Sequence, residues 1–186
     1  MKKQILIPTV ALFIICLVAT TLLALANNVT APIIEKNSAE SEAQSRMEVL
    51  ADAKSFEDKT LNGISYAVGL DGSKQTVGMV FTTTSKSYGG DLLVMTGVDN
   101  EGKVTGIQIL SISDTAGLGM KAQTDSFKDQ FKGLVAGIKV AKNSADHDNN
   151  EILALTGATI TSNAVTTAVN EALANYKTIT ENGGAN

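Results

Sequence analysis

Eight consecutive residues, Leu155, Thr156, Gly157, Ala158, Thr159, Ile160, Thr161 and Ser162, carry four hydroxyls on a backbone thinned by glycine and alanine. Immediately after them Val165, Val169, Ala172, Leu173 and Tyr176 recur at helical spacing, which predicts a helix from near Ser162 to about Tyr176. Thr159 then stands on a small-residue turn just before a helix N-terminus. Free backbone N–H groups and the positive end of the helix dipole make such a place a seat for a phosphate. The same residues also suit a plainer role, as cap and turn of a helix that follows a buried strand.

Little else in the chain can do chemistry unaided. Of 186 residues one is cysteine and one is histidine, which excludes disulfide scaffolds and the usual zinc constellations, so no metal site is expected. His147 lies among Asp146, Asp148, Asn149 and Asn150 in a hydrophilic loop, residues 142–151, where a solvated histidine is the expectation. With 19 acidic against 15 basic residues the net charge is −4, and the chain lacks the basic face that displaces phosphate counterions. Nucleic acid is therefore excluded as a partner, and no residue stands out as catalytic. A protein so equipped works through a bound cofactor.

The elements that must hold the turn show in the periodicities. Residues 64–70 alternate Ile64, Tyr66, Val68 and Leu70 with small or polar neighbours and stop at Asp71 and Gly72; residues 77–84, 92–98 and 104–110 are rich in β-branched and apolar side chains. The last two flank the turn Asp99, Asn100, Glu101, Gly102 and predict a hairpin. Phe127, Phe131 and Leu134 stand at helical spacing within residues 125–134, predicting a short amphipathic helix packed on the sheet. Adjacent strands with helices at the ends predict an α+β domain with a mainly antiparallel sheet.

A second region differs in kind. Residues 5–26 carry no charge, and as a helix at about 1.5 Å per residue they span roughly 33 Å, the thickness of a bilayer core. The reading is a single transmembrane anchor. Ala24, Leu25 and Ala26 also make the small-residue end of a cleavable signal, but the run exceeds a signal's usual apolar core of about 7 to 15 residues. Cys16, preceded by bulky Ile15, reads as a plain lipid-facing side chain. Lys2 and Lys3 precede the anchor and the first charge after it is Glu35, so the positive-inside rule puts the N-terminus in the cytoplasm and the domain outside. With those two lysines set aside, 13 basic and 19 acidic residues remain, a net of −6. Pro32 is expected to close the membrane segment, and Met47, Leu50 and Ala51 mark a juxtamembrane helix within residues 37–53. The expected organisation is an anchor in 1–28, a juxtamembrane linker in 29–56, a domain in 57–180 and a disordered tail in 181–186.

The stretch Thr156-Gly157-Ala158-Thr159-Ile160-Thr161-Ser162 resembles the flavinylation motif of the FMN-binding domain family. In that family a separate ApbE-type flavin transferase joins the phosphate of FMN to the last threonine of the core, which is here Thr159. A second match is Ser113-Asp114-Thr115-Ala116-Gly117-Leu118-Gly119, similar to the family's S-E-T-P-G-L-G segment, and Tyr88, Gly89 and Gly90 precede a strand as in its relatives. The chain departs from the pattern in having Leu153 where an aspartate is frequent, Asp114 for glutamate and Ala116 for proline. The length and single anchor resemble the G-type subunits of ion-translocating ferredoxin:NAD oxidoreductase (Rnf) complexes. The related C-type subunits of sodium-pumping NADH:quinone oxidoreductases, which are usually longer, are the alternative.

What the resemblance implies is a covalent FMN on Thr159, with Asp114, Thr115, Gly117, Leu118 and Gly119 as a loop against the ring. Thr156, Gly157, Ala158, Thr161 and Ser162 are the remaining cofactor-binding candidates. A threonine hydroxyl is a weak nucleophile without a neighbouring base or metal, and none lies nearby in sequence, so another enzyme must make the bond. The implied function is electron relay within a complex of other membrane and iron–sulfur subunits in the cell's inner membrane. An anchored extracytoplasmic binding or sensor domain whose threonine is never modified is the competing class.

Overall fold

The computed structural model describes residues 2–183, and the chain forms two compact units, one up to Glu42 and one from Ala43 onward. The first unit is helical throughout. It belongs to α1 (Lys2–Val49), whose apolar side chains from Leu6 to Ile34 are exposed, and it is long and apolar enough to cross a membrane. Pro32 does not close this helix, contrary to the sequence expectation; both Pro8 and Pro32 lie inside it. A proline keeps a helical φ, so a helix can run through it, although it removes one N–H donor and crowds the carbonyl four residues earlier. The last helix continues through Glu181, the first residue of the expected tail, and residues 184–186 lie outside the described residues.

The second unit is built on an antiparallel meander of five strands in chain order: β1 (Ser55–Leu61), β2 (Ile64–Leu70), β3 (Thr76–Lys86), β4 (Asp91–Asp99) and β5 (Val104–Ser111). The α+β class expected from the periodicities holds. The β4–β5 hairpin forms as read, its turn closed by the Asp99 carboxylate accepting from the N–H groups of Glu101 and Lys103 at 2.8 and 2.9 Å. The helix expected over residues 125–134 is one turn, α2 (Asp125–Lys128), tightening into a 3₁₀ segment at Asp129–Phe131; the two phenylalanines still meet edge to face at 5.6 Å. Two short strands, β6 (Lys139–Ala141) and β7 (Glu151–Leu153), pair in parallel and lead the chain into α3 (Thr159–Glu181).

Each face of the sheet has its own core. On one, Val165, Ala168, Val169, Ala172 and Leu173 of α3, which lies over β3 and β4, share a buried cluster with Val68, Met79, Phe81, Val94 and Ile107. At about 1.5–3 kcal/mol for each fully buried large aliphatic or aromatic side chain, this is the main store of stability. The alanines let the helix come close enough for the Thr83 hydroxyl to donate to the carbonyl of Ala168 at 2.9 Å. On the other face Val49, Leu50 and Ala53 sit against Ala67, Val80 and Met95. Leu50 occupies the space that side chains at Gly69 and Gly78 would take, and the carbonyl of Val49 accepts from the hydroxyl of Thr105 where a side chain at Gly97 would stand.

Candidate functional site

Three connections meet at one end of the sheet: the turn Ser87–Gly90 between β3 and β4, the loop that follows β5, and the Leu155–Ala158 turn that feeds α3. Asp114 ties them together. One of its carboxylate oxygens accepts from the hydroxyls of Ser87 and Thr161, both at 2.5 Å, and the other accepts from the Gly89 N–H at 2.6 Å. Asp114 is only 6% exposed. Burial by itself pushes its pKa up, but the three donors from Ser87, Thr161 and Gly89 outweigh it and hold the carboxyl below the usual aspartate range. Gly119 is required by this contact, because a Cβ there would lie 2.6 Å from both the Asp114 carboxylate and the Thr161 hydroxyl.

The Leu155–Ala158 turn is closed by its own bonds. The Ala158 N–H donates to the Leu155 carbonyl at 2.9 Å, and Gly157 takes φ +77, a left-handed value that a side chain would strain. The hydroxyl of Ser162 accepts from the Leu155 N–H at 2.9 Å and donates to the Ala158 carbonyl at 3.0 Å. Ser162 is thereby spent inside the turn, and α3 starts three residues before it, at Thr159, with Ala158 as an N-cap that offers no side chain. The N–H groups of Thr159, Ile160 and Thr161 therefore have no intrahelical partner.

These segments enclose a cavity of about 470 Å³ lined by Tyr88, Asp114, Thr115, Leu118, Gly119, Gly157, Ala158, Thr159, Ile160 and Thr161. The size is that of a small-molecule or cofactor site. Of the residues singled out from the sequence, Thr156, Gly117 and Ser162 lie outside its lining; the first two are exposed and the third is buried. Thr159 is half-buried, and among the described residues its hydroxyl makes no hydrogen bond, whereas Thr161 is held by Asp114. Sequence reasoning missed Ile160, exposed on the first turn of α3, and Ser87, whose link to Asp114 spans 27 positions. Tyr88 stands out in the sequence only through the resemblance, and its place on the cavity wall is not legible there. His147 is exposed, with its Nε2 3.0 Å from the Lys132 carbonyl, and no cluster able to hold a metal occurs among the described residues.

Residues 87–174 match the FMN-binding domain family, and residues 1–49 match the RnfG N-terminal region. The class is thus an FMN-binding domain preceded by a helix fit to cross a membrane. The chain is 36% identical over 188 residues to the G subunit of the Na(+)-translocating ferredoxin:NAD(+) oxidoreductase complex of Acetobacterium woodii, with 91% of this chain and 90% of that protein covered. It is 33% identical over 170 residues to the G subunit of the proton-translocating complex of Clostridium ljungdahlii, with 91% and 90% covered. The chain belongs to the family of G subunits of ion-translocating ferredoxin:NAD oxidoreductase complexes. The crystal structure of the C subunit of the Na(+)-translocating NADH-quinone reductase from Parabacteroides distasonis shares the fold: TM-score 0.51, 21% identity, 60% of this chain and 61% of that one.

Proposed function

We propose that this chain is the FMN-carrying electron-relay subunit of a membrane-bound ion-translocating ferredoxin:NAD oxidoreductase complex, with the FMN phosphate esterified to Thr159. The observation that carries the reading is the contrast among neighbouring hydroxyls. Thr161 and Ser162 are engaged within the protein and Thr156 lies outside the cavity lining, while Thr159, on the first turn of a 23-residue helix, lines the cavity with a hydroxyl that makes no hydrogen bond among the described residues. The residues present fit the group. N–H groups of Thr159, Ile160 and Thr161, without an intrahelical partner, suit a phosphodiester, and the absence of a side chain at Gly157 leaves room beside Leu118 on the cavity wall.

FMN supplies the ability to take and pass on electrons singly or in pairs. The chain's own residues do the rest. Leu118, Ile160 and Tyr88 offer apolar surface along the cavity, and the Asp114 contacts keep the three segments in register. No base reaches the Thr159 hydroxyl among the described residues, which supports installation by an ApbE-type flavin transferase rather than self-modification. The proposed setting is the cell's inner membrane, N-terminus cytoplasmic and domain outside, next to other membrane and iron–sulfur subunits. Residues 5–26 hold only Thr9, Cys16, Thr20 and Thr21 as polar groups, so ion passage falls to those subunits.

The test is coexpression of the full chain with a flavin transferase, followed by a denaturing gel viewed under ultraviolet light. Fluorescence at the protein's position is the expected result, since detergent strips a noncovalent flavin; its absence sinks the reading. Protease added to intact spheroplasts should digest the region from Asn27 onward, and full protection would reverse the orientation.

A further inference from the structure

Asp114 is the one buried charged residue among the described residues, and it lies on the wall of the cavity. Three donors meet it and no cation does: Ser87 and Gly89 come from the β3–β4 turn, Thr161 from α3, and among the described residues no lysine, arginine or histidine pairs with it. A carboxylate met only by neutral donors keeps its full negative charge. Surrounded by protein rather than water, that charge is weakly screened and reaches across the cavity.

We propose that Asp114 acts on the bound flavin as a fixed negative charge that lowers its reduction potential. The inference rests on the assignment of this cavity to FMN. Two-electron reduction of an oxidised flavin takes two electrons from the reductant and at least one proton from water. With one proton taken up, the ring ends one unit more negative. A carboxylate on the wall opposes that added charge, so the ring is harder to reduce and, once reduced, a stronger donor to the next centre. A low potential is what a relay between a strongly reducing donor and a modest acceptor needs.

The bonding at Asp114 permits a clean substitution. In Asp114→Asn the side-chain oxygen can still accept from the Gly89 N–H, and the amide NH₂ can donate to the hydroxyls of Ser87 and Thr161 once those rotate. Shape and bond count survive, and only the charge is lost. The experiment is a spectroelectrochemical titration of the full-length flavinylated protein in detergent, wild type beside D114N. The expected result is a more positive midpoint in D114N, corresponding to roughly a tenfold shift of the reduction equilibrium. Thr115→Lys gives an independent arm, because exposed Thr115 lines the same cavity and a cation there should also move the midpoint upward, whether or not D114N loads. A midpoint unmoved in flavinylated D114N, or in T115K where D114N does not load, overturns this inference and leaves the FMN assignment standing. A wild-type chain without covalent flavin overturns both.

Discussion

The two faces of the five-stranded sheet are packed by opposite means. One is covered by α3 along most of its length, with large side chains from four strands filling the space beneath. The other receives three residues, Val49, Leu50 and Ala53, seated where Gly69, Gly78 and Gly97 leave the backbone bare. The deep face holds the element whose first turn presents Thr159, and the buried carboxylate sits at the end of the sheet beside that turn. The shallow face holds the end of α1 from Arg46 on, by backbone contact and by the Arg46–Asp58 ion pair at 2.8 Å. A redox cofactor needs a seat that does not move, so the larger core lies under the site.

This division of labour can be broken most visibly at Thr159. Thr159→Ala should abolish covalent flavin completely, read on a denaturing gel, because Thr161 and Ser162 are already committed to other partners and Thr156 lies outside the cavity lining. Its urea midpoint should stay within about 0.5 kcal/mol of wild type, since the lost hydroxyl has no partner among the described residues. Flavin recovered on a peptide carrying that substitution would refute the attachment site.

The next effect in size falls on the opposite face. Leu50 is 1% exposed, and Leu50→Ala should cost about 2–5 kcal/mol in denaturant unfolding of the domain. The folded protein should nevertheless take up flavin as wild type does, because no residue lining the cavity belongs to that cluster. If loading fell in step with stability, the two faces would be one cooperative site and the division between them would not exist.

A smaller, pH-dependent effect belongs to the end of the sheet where α3 begins. The Asp114 carboxyl is held below its unfolded value of about 3.9, so between the folded and unfolded values the unfolded chain binds more protons. Its stabilising contribution is then fully present at neutral pH, shrinks as pH falls below about 4, and is lost below the folded value. The stability gap between wild type and Asp114→Asn should therefore close on acidification, measured by urea midpoints at pH 7 and pH 3. A gap constant with pH would mean that the carboxylate is not ionised in the folded protein.

How far the molecule can be read without coordinates follows the same divide between local and distant causes. Strand β2 is legible to the residue, and β3 to β5 within two residues at either end, because each alternates or concentrates apolar side chains over a core. Strand β1 escapes notice because Glu57, Asp58 and Lys59 sit on an edge, where pairing with β2 and not burial makes the strand. Strands β6 and β7 are three residues each, too short for any periodicity. Ser162 reads as a helix start because serine is a good N-cap, yet it bonds backward from inside the first turn. The motif threonine is legible as a local pattern. The knot around Asp114 is not, since its partners lie 25 to 47 positions away.

The smallest effect separates the two threonines of the motif. Thr156 and Thr159 flank Gly157 and Ala158 and look alike in sequence, but Thr156 is exposed, lies outside the cavity lining and makes no hydrogen bond among the described residues. Thr156→Val keeps the shape and removes the hydroxyl, so stability should change by less than about 0.5 kcal/mol. The flavin remains where it was if position within the fold selects the acceptor. A transferase acting on the assembled domain needs the hydroxyl on the first helical turn, at the cavity wall, and Thr156 precedes that turn and lies outside the cavity lining. Quantitative in-gel fluorescence of T156V against wild type checks this. Equal signals locate the selectivity in the start of α3, whereas a strong loss would show that the transferase reads the Thr156 hydroxyl itself, and the acceptor would then be defined by the motif's chemistry as much as by its place on the deep face.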